Sequence, residues 1–312
     1  MAKARETDLV TVAKVRGGAG KTVEILFNER QQIFTLGEKA RAGGGAARLL
    51  RARAGRSRPV KVTLNPARGT VERIGEPRER EAAEFLRLRI PLEKPQKIVA
   101  IDLAKIDPIK FNIVDLYLKW PVFRLCTDVV PSYAKAKQIF DFCAGLECNL
   151  PGPFAVNPCI PFQYVIDGCY ARAHQMRRII TTRFGYCCDK VFTFAPNAPD
   201  QLAVKADKWG GCCVFWWYHV APLIRVRFKI LKFNFTLAMV IDPSMFDKPV
   251  LLHTWLAAQE NKNCSANAHV TRYSIQPGSA YTPIYPGNSF ATDPNYVKTE
   301  NTLQQYANLT TC

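Results

Sequence analysis

The distribution of cysteine constrains this chain most. All eleven cysteines lie between Cys126 and Cys312, and the first 125 residues contain none. No C-x-x-C pair occurs, so the spacing favours disulfides in an oxidising compartment over a zinc site. An odd total leaves at least one thiol unpaired. The simplest arithmetic is one reactive thiol and up to five bridges, with connectivity left open. Cys148 with Cys159, bracketing a short loop, is the preferred single pairing. The vicinal pairs Cys187–Cys188 and Cys212–Cys213 are expected to send their members to different partners.

Charge divides the chain at about the same place. Residues 1–100 hold 22 Lys and Arg against 11 Asp and Glu, +11 of the net +17, and the remaining 212 residues hold +6. The densest basic run is Arg48, Arg51, Arg53, Arg56 and Arg58, beside the spacer Gly43–Gly45. No zinc-finger spacing or aromatic stripe accompanies it, so it reads as a solvated helix face and not as a nucleic-acid surface. The longest apolar runs, such as Phe235–Ile241, are too short to span a bilayer. The opening residues lack the apolar stretch of a secretory signal, so export would depend on a segment absent here or on another route.

Periodicity predicts a small α+β unit at the front. Val23–Asn28, Gln32–Leu36 and Pro59–Asn65 read as strands, Ala40–Ala54 and Glu79–Leu88 as helices, and Asn65–Thr70 as a turn. Pro91–Lys97 reads as a linker, and Ile98–Asp115 fits either side of it. Further on, helices are expected at Tyr133–Ala144, Asp167–Phe184 and Leu251–Glu260. Between the last two lie the strands Lys190–Phe194, Cys212–Tyr218, Pro222–Lys229 and Phe235–Ile241. The span Tyr273–Tyr296, rich in Tyr, Pro, Ser and Asn, reads as ordered loop.

This order carries a chemical logic. A helix bearing Cys169 near its start is followed by strands bearing His219 and then Asp242. The positive end of a helix dipole favours thiolate. A neighbouring imidazole can take and return a proton, and a carboxylate can hold its tautomer. Backbone N–H groups at the helix start, that of Cys169 included, can hold an oxyanion. Each residue alone has a plainer reading: a bridged cysteine, a satisfied core histidine, an Asp–Pro turn. His174, five residues after Cys169, points elsewhere on the helix and suits a structural hydrogen bond. Asp167 and Arg172 flank the nucleophile and suit tuning or capping of that helix, with capping preferred over catalysis for Asp167. Trp216, Trp217 and Tyr218 could line a substrate cleft, with about half of such a strand facing the core.

Three segments add a resemblance. CIPFQYVIDGCYARAHQMRRII (Cys159–Ile180), CCVFWWYHVAPL (Cys212–Leu223) and VIDPSMF (Val240–Phe246) resemble, in order, the catalytic segments of bacterial protein-glutaminases, the protein-glutamine deamidases. The likeness extends more thinly through FGYCCDKVF and roughly Pro131–Leu256. It implies a papain- and transglutaminase-like core, a nucleophile helix packed on an antiparallel sheet, in an α+β chain. It implies Cys169 as nucleophile, His219 as general acid/base and Asp242 as orienting carboxylate, acting on protein-bound glutamine without metal or cofactor. The front unit resembles the family's inhibitory pro-region, giving a zymogen with residues 1–100 (up to about 125) as cover and 126–312 as a disulfide-rich catalytic domain. The implied partners are glutamine-bearing proteins and an activating protease, with neither nucleic acid nor membrane, for a secreted monomer. The cover should bring Val23–Asn28 and Gln32–Leu36 near Cys169. Gln31 and Gln32 suggest substrate mimics, but the reading preferred for them is two exposed turn residues. The sequence departs from the family at Trp217, in the basic, apolar stretch Arg225–Leu237, and beyond Trp255. The same triad would serve a transglutaminase or a cysteine peptidase, and a disulfide-rich binding or toxin module could keep the scaffold without the activity.

Overall fold

The computed structural model describes residues 6–17, 22–38, 40, 45–111, 126–148, 159–230 and 233–312. In the front part the strands are β1 Glu6–Val10, β2 Val12–Arg16, β3 Glu24–Phe27, β4 Arg30–Leu36, β5 Val60–Asn65 and β6 Thr70–Gly75, with helices α1 Gly45–Arg53 and α2 Glu79–Arg87. β5 shows why it forms: its residues alternate buried and half-buried, the period-2 pattern of a one-sided strand. Val10, Val12, Ile25, Phe27, Phe34, Leu50, Val62 and Leu64 close a separate core beneath α1. β1 and β2, not anticipated in residues 6–16, where charged and apolar residues are mixed, are held by pairing with β5 and β3.

Two short strands, β7 Ile90–Pro91 and β8 Val99–Ala100, follow, then β9 Val129–Val130 and helix α3 Tyr133–Ala144. The expected linker is therefore not a free tether. β7 pairs with β18 Ser289–Thr292 and β8 with β16 Arg272–Gln276, while the Leu92 N–H donates to Phe290 O at 2.7 Å. Part of the Ile98–Asp115 span, residues 112–115, lies outside the described residues, as does most of the loop from Cys148 to Pro161.

The long helix α4 Cys169–Phe184 runs through the centre of the second part. Nearly every residue from Cys169 to Met176 is buried, so this helix is enclosed on all sides at its start and lacks an amphipathic stripe there. It packs on β13 Tyr218–Ile230 in a seven-stranded sheet ordered β15-β14-β13-β10-β16-β8, with β9 parallel to β13. Here β10 is Asp189–Phe194, β14 Phe233–Val240 and β15 Val250–Leu251. β13 and β14 form a long hairpin despite the missing Gly/Asn turn signal; its tip, residues 231–232, is outside the described residues. The stretch expected to be loop near Tyr273 instead supplies β16, β17 Ala280–Ile284 and β18. Its prolines sit in an irregular pairing, with a register shift between Ala280 and Pro283. Helix α5 is Leu252–Ala257, shorter than expected, and α6 Val297–Tyr306 lies on α4.

The remaining sheet joins the two parts. β4 pairs with β12 Cys213–Trp216, which pairs with β11 Leu202–Lys205, so the front sheet continues into the second part through a single strand contact.

Four disulfides form: Cys126–Cys187, Cys148–Cys159, Cys212–Cys312 and Cys213–Cys264. Three cysteines stay free, Cys143, Cys169 and Cys188, so the arithmetic of five bridges and one thiol is corrected to four and three. Burial explains the difference, since Cys143 and Cys188 are packed into the core as small apolar residues. Cys212–Cys312 closes a 100-residue span that ties the C-terminus to β12. Replacing Cys312 by Ser should cost about 2–5 kcal/mol of stability. A shift of the denaturant midpoint to lower concentration checks this.

Candidate functional site

Cys169 is the first residue of α4, and the geometry of the turn before it depends on glycine. Gly168 has φ 85°, and a Cβ there would meet the Tyr306 ring at 2.8 Å. Only a residue without a side chain fits both demands. The Cys169 side chain is free of any disulfide and buried, and the Val220 backbone N–H reaches its thiol.

Val220 follows His219, which faces Thr193 of β10 across the sheet. The imidazole Nε2 lies 2.9 Å from Asp242 Oδ2, and the same oxygen accepts from the Trp255 indole N–H at 2.9 Å. Nδ1 of His219 is buried and has no hydrogen-bond partner among the described residues. The ring is held flat between two indoles, Trp216 at 4.4 Å and 15° and Trp255 at 5.3 Å and 24°. Burial lowers the imidazole pKa against the opposing pull of Asp242, which assigns a neutral ring with its proton on Nε2. Burial works against ionisation of Asp242 too, but the donors from His219 and Trp255 win and hold its carboxyl below the ordinary range. For Cys169 the outcome opposes what its helix position suggests. Desolvation, aided by the Asp167 and Asp242 charges, drives the thiol well above its usual value despite Arg172. In this covered state the site is uncharged at the thiol and at the imidazole.

What covers it is β4. Gln31 and Gln32 are not exposed turn residues: both are buried, on a strand laid beside β12. The Gln31 side chain enters the site. Its Oε1 accepts the Cys169 backbone N–H at 2.8 Å, and its Nε2 donates to Val165 O at 3.2 Å. Its backbone is clamped as well, with N–H donating to Asp167 Oδ1 at 3.0 Å and C=O accepting from Trp217 N–H at 3.0 Å. The preference for turn residues failed because two adjacent polar side chains carry no sign of the surface that will bury them. Gln32 turns away and donates to Pro66 O.

The cleft candidates sort differently from a simple alternation. The chain bends at Trp217 between β12 and β13, which breaks the two-residue period. Trp216 shields His219 and donates to Val165 O and Ile166 O. The Trp217 indole donates to Phe27 O at 3.1 Å and Arg30 O at 2.7 Å, so it faces the covering part. Tyr218 is fully buried.

Asp167 is no helix cap, since the N-cap is Gly168 and makes no side-chain bond. Its carboxylate instead receives Arg30 of β4 and the Tyr306 hydroxyl, at 3.0 and 2.9 Å. Arg172 donates to Tyr164 O and Asp167 O behind it. His174 is structural: Nε2 pairs with Asp293 O at 3.0 Å and Nδ1 with Lys190 Nζ at 2.6 Å. Burial, then the Lys190 charge, pushes its pKa down to about 2. Trp255 and Arg30 carried no signal in the sequence, because their contacts are made across the fold.

A thiol at a helix start, beside a strand whose histidine is bonded to a carboxylate just past the end of the next strand, is the layout of the papain- and transglutaminase-like thiol hydrolases. A family profile described as glutaminase matches residues 136–259. The crystal structure of a protein-glutaminase is 34% identical, covering 60% of this chain and 93% of its own, with a TM-score of 0.50. The protein-glutaminase from Chryseobacterium proteolyticum is similarly 34% identical, over 59% of this chain and 91% of its own, at 0.50. A pro-protein-glutaminase shares the fold along nearly the whole length, covering 99% of this chain and 95% of its own at a TM-score of 0.72 and 24% identity. No curated protein sequence matches this chain. The chain belongs to the protein-glutaminase family.

Proposed function

We propose that this chain is the zymogen of a protein-glutamine deamidase. Residues 1–100, or up to about 125, act as its inhibitory pro-region and 126–312 as its catalytic domain. The observation that carries the reading is the Gln31 carboxamide, whose oxygen rests on the Cys169 N–H at the start of α4. A glutamine side chain already occupies the place where a substrate glutamine would bind. The alignment lengths support the division, since the pro-form relative spans 99% of the chain and the protein-glutaminase without that label 60%.

In the processed enzyme the Cys169 thiolate attacks the side-chain carbonyl carbon of a protein-bound glutamine. The Cys169 N–H holds the developing oxyanion, and His219, kept in one tautomer by Asp242, protonates the leaving ammonia. The same imidazole then takes a proton from water, which hydrolyses the thioester to glutamate and returns the thiol. Asp242 stabilises the imidazolium that forms in between. Deprotonation of Cys169 requires departure of the cover, because the buried thiol is driven upward in the intact chain. Substrates are proteins with exposed glutamines, and a protease frees the site. The four disulfides fit an oxidising compartment and support the reading of a secreted enzyme.

Incubation of the processed enzyme with a denatured protein tests the reading. Ammonia release with a matching gain of glutamate, and without new peptide termini or crosslinks, is expected. New termini would instead make it a peptidase, and amine incorporation a transglutaminase.

A further inference from the structure

We propose that the catalytic part reads the residue immediately before the target glutamine, and that Asp167 selects a basic side chain there. The proposal rests on the deamidase reading above and adds a specificity element to the same site.

The contacts around Gln31 separate into those that leave with the pro-region and those that stay. Groups that stay hold the Arg30–Gln31 pair as an extended segment at five points. Cys169 N–H and Val165 O take the two ends of the carboxamide. Trp217 donates twice, its backbone N–H to Gln31 O and its indole to Arg30 O. Asp167 is the fifth, and it spans both residues: Oδ1 accepts the Gln31 backbone N–H and Oδ2 accepts the Arg30 guanidinium, each at 3.0 Å. Tyr306 completes this position, its hydroxyl bonded to Asp167 Oδ2 and to Arg30, with the guanidinium 5.8 Å from its ring centre. Direction is therefore set. The carboxamide on the Cys169 N–H and the main chain between Asp167 and Trp217 put the preceding side chain against Oδ2.

Arg30 also meets Glu6 and Asp8, at 3.3 and 2.7 Å, but both belong to β1 and depart with the cover. Asp167 is then left in the site with the Tyr306 hydroxyl, the Gly168 backbone N–H and the charge of Arg172, whose guanidinium hydrogen-bonds its backbone carbonyl. Once Arg30 has left, a basic side chain before the target glutamine restores the ion pair with Asp167, and a charged hydrogen-bond partner is worth more there than a neutral one. A planar guanidinium suits the geometry best.

Three capped peptides, identical except for arginine, citrulline or alanine before a central glutamine, test this with the processed enzyme. A hydrogen-bonded charge pair predicts a kcat/KM for the arginine peptide about tenfold or more above both others, read as ammonia release. Citrulline keeps the shape and loses the charge, so it should fall with alanine. In Asp167→Asn the arginine-to-alanine ratio should shrink to below about threefold, whatever happens to absolute activity. Equal rates for the three peptides, or an unchanged ratio in Asp167→Asn, would overturn the subsite and leave the deamidase reading standing. Absence of ammonia from all three peptides and from denatured protein would remove both.

Discussion

Cys169→Ala in the processed enzyme should abolish ammonia release, by a factor on the order of 10⁶, as loss of the nucleophile does in enzymes whose catalytic groups act as a unit. The fold should survive the change. The thiol forms no disulfide, and a sulfur-to-hydrogen replacement at the start of α4 leaves its backbone and the preceding Gly168 unchanged. An unchanged circular dichroism spectrum would separate lost chemistry from lost structure. Alkylation supplies a second readout. Cys169 is enclosed in the intact chain and should react slowly with iodoacetamide, then quickly once β4 has gone. Cys143 and Cys188 are internal controls, because burial raises both thiols and neither touches the covering strand's Gln31. Retained activity in Cys169→Ala would end the nucleophile assignment.

Asp242→Ala should cost on the order of 10⁴ in kcat, less than the nucleophile but more than any cleft residue. One oxygen of Asp242 accepts both the His219 Nε2–H and the Trp255 indole N–H. Alanine leaves two buried donors unpaired and frees the imidazole to change tautomer, so Nδ1 no longer stays an acceptor. The folded state should also lose about 3–5 kcal/mol, the penalty for breaking a buried pair from one side. Asp242→Asn divides the effect. An amide oxygen in the same place can still accept both donors, so the tautomer survives. Stabilisation of the imidazolium does not, and a loss of about 10²-fold is expected. If alanine and asparagine lose equally, charge and not orientation dominates at this position.

Much of the second part was legible because its strongest signals are local. Helix α4 and strands β10, β13 and β14 follow from apolar and β-branched runs. Cys148–Cys159 was legible because its loop is short. The prolines of Pro277–Pro286 concealed β17 and β18, since pairing with neighbours outweighed weak strand propensity. α6, with its polar sequence, is stabilised by packing on α4 and showed no apolar stripe.

By itself the sequence determined that Cys169, His219 and Asp242 stand in an order suited to thiol chemistry, and that a basic, cysteine-free front precedes them. These are matters of residue type and spacing along one chain. Tertiary structure alone decided that Gln31 lies on the Cys169 N–H and that Arg30 pairs with Asp167, across separations of 138 and 137 residues. It also decided that the covered thiol is held neutral, because desolvation is a property of what surrounds a group, and those surroundings come from β4.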